Sequence, residues 1–132
     1  MNTIITLIII GLIVFIGLIF WTQSKRSKIS NKDQSNLKKH WRKIQEAGLN
    51  NTTVLEGDKV FDHALKLKGF TGSVGEKLKK NKALFSDLNG IWNAHKLRNR
   101  IAHEIGITVS KKEISEALHQ FKKAIKDLGF KL

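Results

Sequence analysis

The chain contains no cysteine and no proline, and it is poor in acid. Without cysteine there are no disulfides and no thiolate metal ligands, as expected of a reducing cytoplasm. Without proline, nothing breaks a helix from within. Only 11 Asp and Glu stand against 24 Lys and Arg, a formal net charge of +13 over 132 residues. Such an excess attracts RNA or anionic lipid, although a basic face is also a common way to stay solvated.

Charge is missing altogether from residues 1–23. From Ile4 to Trp21 every residue is apolar except Thr6, with Gly11 and Gly17 the only small ones. At 1.5 Å per residue the run covers roughly 27 Å, against a bilayer core of about 30 Å. The expectation is a transmembrane anchor. A cleaved signal peptide would want a basic start and small residues at the exit. The chain has Met1-Asn2-Thr3 and Phe20-Trp21-Thr22-Gln23 in those places. Lys25, Arg26 and Lys28 follow at once, so the positive-inside rule keeps the carboxyl side cytoplasmic. The same cluster suits anionic lipid headgroups. Read this way, the protein is single-pass in the plasma (inner) membrane.

Residues 24–36 are polar, basic and aperiodic, a linker. Residues 37–132 read as one small all-α bundle of four to five helices. Leu37, Trp41 and Ile44 recur at helical spacing before Gly48, and Val54, Phe61 and Leu65 before Gly69. Ser73-Val-Gly-Glu76 and Ser110-Lys-Lys-Glu113 have the form of capping boxes. Ser86 or Asp87 opens a long helix that Gly106 closes. Ile114, Leu118, Phe121, Ile125 and Leu128 make a last apolar stripe before Gly129.

That long helix carries Trp92-Asn-Ala-His-Lys-Leu-Arg-Asn-Arg-Ile-Ala-His103. At about 100° per residue, His95, Arg98, Asn99 and His103 fall on the half that also holds Leu88, Ile91 and Ala94. A buried guanidinium without a partner costs several kcal/mol, so these groups must be paired or line a cleft. Asp58 sits amid the apolar stripe of the second bundle helix, with Asp62 one turn on, and either carboxylate can neutralise Arg98. His95 reads as a core histidine with one hydrogen-bond partner. His103, at the edge of the face, is the most accessible of the group. His40, His63 and His119 have no partner at i+3 or i+4, so no metal and no cofactor is expected. The glycines of Gly69 to Lys77 do not have phosphate-loop spacing.

Arg98-Asn99-Arg100-Ile101-Ala102-His103 resembles the R-x4-6-H signature of HEPN domains, small helical bundles of which many are metal-independent ribonucleases and many others are non-catalytic. The resemblance covers about residues 33–132. It implies a homodimer in which two motifs face each other, with Arg98 on an RNA phosphate, His103 moving a proton and Asn99 orienting the imidazole or touching the sugar. Imidazole exchanges protons near neutral pH, and guanidinium offers a planar fork to phosphate oxygens. The expectation is thus a membrane-anchored HEPN-like domain that binds RNA and, where the motif is catalytic, cleaves it. Two alternatives stay open. One is a non-enzymatic module that recruits a protein, RNA or anionic lipid to the membrane, with Arg98 locked in an ion pair that sets helix register. The other is a purely structural tethered bundle whose basic surface holds lipid.

Overall fold

The computed structural model describes residues 2–24 and 28–132, with side chains over 3–19 and 28–132. Its helices are α1 (Asn2–Ser24), α2 (Asn31–Ala47), α3 (Asn51–Leu67), α4 (Val74–Lys80), α5 (Leu88–His103) and α6 (Lys111–Asp127), with a 3-10 turn at Lys82–Leu84 between α4 and α5. The described residues contain no strand, so α2 to α6 form the expected all-helical bundle.

Local chemistry marks the ends of these helices. Ser73 and Glu76 exchange side-chain and backbone hydrogen bonds at the start of α4, and Ser110 and Glu113 do so at α6. Asn50 and Thr53 form a third such box at α3, and Asp87 caps α5. Each box satisfies amide groups that the first helical turn leaves without partners. Gly48, Gly69, Gly106 and Gly129 follow α2, α3, α5 and α6 with φ between +71° and +95°, a region that costs a side chain energy.

The stripes meet as their spacing predicts. Leu37, Trp41 and Ile44 of α2 are buried with Val54, Phe61 and Leu65 of α3, Ile91, Ala94 and Leu97 of α5, and Ile114, Phe121 and Ile125 of α6. Phe61 lies at the centre, 5.9 Å from the Phe121 ring and 6.0 Å from Phe85 in an edge-on pair. At Gly57 the two helices come so close that a Cβ would stand 3.0 Å from Leu118 Cδ2 and 3.1 Å from Phe121 Cδ2.

Two expectations need revision. Helix α2 begins at Asn31 rather than Leu37, because Ser30 accepts a hydrogen bond from the Asp33 amide and caps it. The segment read as a linker therefore ends in structure. Ile29 packs against the core, and the Gln34 carboxamide is bonded to both the amide and the carbonyl of Lys131.

The second revision concerns the anchor. Among the described residues no helix is long and apolar enough to cross a membrane. It holds for α1, the helix that carries the apolar run. This overturns the single-pass anchor and the inner-membrane placement that rested on it. Within that run, Ile4 to Ile19 of α1 are exposed, and the bundle's apolar core is assembled without them. Of the basic cluster, Lys28 is exposed, while Lys25 and Arg26 lie outside the described residues.

Truncating the central ring tests this packing. Phe61→Ala is expected to cost about 3–5 kcal/mol, read as a lowered denaturation midpoint at unchanged slope.

Candidate functional site

Helices α3 and α5 pack through their apolar stripes, and one carboxylate lies in the seam between them. Asp58 is 5% exposed. Its Oδ1 lies 2.8 Å from His95 Nδ1, and its Oδ2 lies 3.3 Å from Arg98 Nε. His95 and Arg98 are three residues apart on α5, hence neighbours on one helix face. A carboxylate only accepts hydrogen bonds, so Nδ1 of His95 donates and carries the proton. The Arg98 approach is an ion pair without a well-aligned hydrogen bond, since Nε is buried and has no hydrogen-bond partner. The far end of Arg98 is held instead by Asn99, whose Oδ1 accepts from Nη1 at 3.0 Å.

The arrangement is open on one side. The Arg98 side chain is 30% exposed and that of His95 15%. Both line a cleft of about 270 Å³ with Asp58, Asp62, Ser73 and Val74. Trp92 stands edge-on to the His95 ring at 6.3 Å and lies over α4, where a Cβ on Gly75 would be 3.4 Å from its indole.

Of the two candidate carboxylates, Asp58 takes Arg98. Asp62 is bound 2.6 Å from Lys77 and 2.7 Å from Lys66. The Lys77 side chain is completely buried, and no apolar spacing in the sequence points to it. Its ion pair with a carboxylate at the cleft edge explains why a lysine is tolerated there. Burial pushes the Asp62 carboxyl up, but the hydrogen bonds and charges of Lys66 and Lys77 outweigh that and hold it below the ordinary aspartate value.

The motif's histidine is elsewhere. His103 is the last residue of α5, exposed, and its imidazole has no hydrogen bond or ion pair among the described residues. Five residues on a helix turn by about 140° from Arg98. The cleft accordingly gathers Asp58, His95, Arg98 and Asp62, and His103 does not line it. Beyond His103 the chain exposes Ile105 fully. No group of three or more His, Asp or Glu among the described residues is placed to hold a metal ion.

No family model, curated protein or solved structure matches the chain.

The Asp62 ion pairs make a claim about acid stability. A carboxyl whose folded value is depressed contributes stability above its unfolded value, near 3.9, and loses it as pH falls through the lower folded value. Asp62→Asn is therefore expected to flatten the stability profile below about pH 4, measured by urea midpoints at a series of pH values. A variant whose acid limb matches the parent's overturns this.

Proposed function

We propose that the bundle is an HEPN-like RNA-binding domain that cleaves the bound strand without a metal. The observation that carries this reading is the unequal state of the two motif groups. The Arg98 guanidinium is anchored by Asp58 and Asn99 at the mouth of an open cleft, and the His103 imidazole is free at the end of the same helix. A fixed cation suits phosphate recognition, and a free imidazole suits proton transfer. The net charge of +13 supplies the long-range attraction that RNA binding requires.

Chemically, the 2′-hydroxyl of the nucleotide attacks the adjacent phosphorus as its proton leaves. The bond from phosphorus to the 5′-oxygen breaks, and His103 protonates that oxygen. The products are a 2′,3′-cyclic phosphate and a 5′-hydroxyl, with no external reactant consumed. Arg98 stabilises the charge that gathers on the phosphate oxygens in the transition state. The resemblance implies two copies with their motifs face to face, and since His103 does not line the cleft that holds Arg98, we assign this proton transfer to the His103 of a second copy.

A second reading has its own support. Asp58 cancels much of the Arg98 charge, which favours a module that binds RNA and leaves it intact.

Labelled single-stranded RNA incubated with the full chain in EDTA separates the two. Cleavage is expected, with a cyclic phosphate end, and His103→Ala should slow it by about 100-fold or more. Arg98→Ala should weaken RNA binding by roughly tenfold without unfolding the bundle, because Asp58 keeps His95. Binding without cleavage overturns the nuclease reading in favour of the second.

A further inference from the structure

RNA transesterification needs two proton transfers, one from the 2′-hydroxyl and one to the 5′-oxygen. The reading above assigns His103 to the second and leaves the first without a group. Within the cleft, Arg98 has a neighbour with suitable chemistry.

His95 is bound to the same carboxylate as Arg98, one oxygen each. The two side-chain heads are therefore held side by side, and whatever phosphate reaches the guanidinium also comes within reach of the imidazole. The ring's Nδ1 is committed as donor to Asp58. Its Nε2 has no hydrogen bond among the described residues and is not one of their buried unpartnered nitrogens, so it meets solvent. In a neutral ring with the proton on Nδ1, Nε2 is the acceptor. Trp92 closes on the ring from one side and limits how it can turn. The result is an oriented base on a ring that lines the cleft of about 270 Å³.

Resting on the RNA-cleaving reading, we propose that His95 is the base that takes the 2′-hydroxyl proton, and that Asp58 is the positioning residue that sets its tautomer and its place beside Arg98. The proton passes to Nε2 as the 2′-oxygen bonds to phosphorus. His103 of a second copy gives a proton to the departing 5′-oxygen. The imidazolium at His95 returns its proton to solvent, and His103 regains one from solvent, so the balance closes. The buried carboxylate then has two functions: it compensates a guanidinium and it stabilises the imidazolium that forms next to it.

The test uses the full chain, a short single-stranded RNA and EDTA. His95→Gln retains a side chain able to donate to Asp58, so RNA affinity should stay within about twofold while kcat falls by about 100-fold or more. In His95→Ala, added imidazole should restore a measurable part of the rate. Asp58→Asn should lower kcat in the parent by clearly more than in the His95→Gln background, because the part of its effect that runs through that ring is already lost there. If the parent cleaves and His95→Gln cleaves at the parent's rate, the assignment is wrong and the RNA-cleaving reading stands. Loss of rate in both His95 variants with no response to imidazole also overturns it, since a structural role gives that result. If the parent itself leaves RNA intact, the underlying reading falls and the assignment with it.

Discussion

A carboxylate taken out of water has to be matched, and at Asp58 it is matched twice. In the α3–α5 seam His95 and Arg98 both turn toward it, one on each oxygen, where an isolated carboxylate would cost several kcal/mol in desolvation. The ion pair is a constraint more than a source of stability: replacing such groups with apolar side chains often leaves a protein as stable or more so. What it supplies is geometry. It fixes the rotation of α5 relative to α3, and so decides which α5 side chains enter the cleft and which are left at the helix end.

Asp62 shows how selective that arrangement is. It lies one turn from Asp58 and lines the same cleft, yet its charge is taken by Lys77 from α4 and Lys66 from its own helix. Arg98 is thereby shared with Asn99 and no second carboxylate, and part of it stays open to solvent. Had both aspartates turned to Arg98, the guanidinium would be neutralised and of little use to an anion.

Much of this is legible in the residues alone. The capping boxes at Ser73 and Ser110 and the stripes of α2, α3 and α6 are local signals, and they appear where their spacing puts them. So does the pairing of Arg98 with an aspartate, because cost alone demands it. The choice between Asp58 and Asp62 is not legible, since it depends on a buried lysine that no apolar period marks. That His103 stays out of the cleft is concealed by reading a helix in halves: a step of five residues spans about 140°, which one half can hold without both residues facing the same groove. The early start of α2 is missed because a Ser/Lys/Asn-rich composition resembles a linker even when Ser30 caps a helix. For α1 the apolarity is plain in the sequence, yet among the described residues no helix is long and apolar enough to cross a membrane.

The Gln34 carboxamide grips both backbone groups of Lys131, across 97 positions of sequence. Gathering so long a loop carries a large entropic toll, which a pair of surface hydrogen bonds cannot offset until the intervening helices have assembled. This lacing is therefore a final stitch in folding and the first to open, and amide exchange at Lys131 reports when the α2 entrance and the segment after α6 part company.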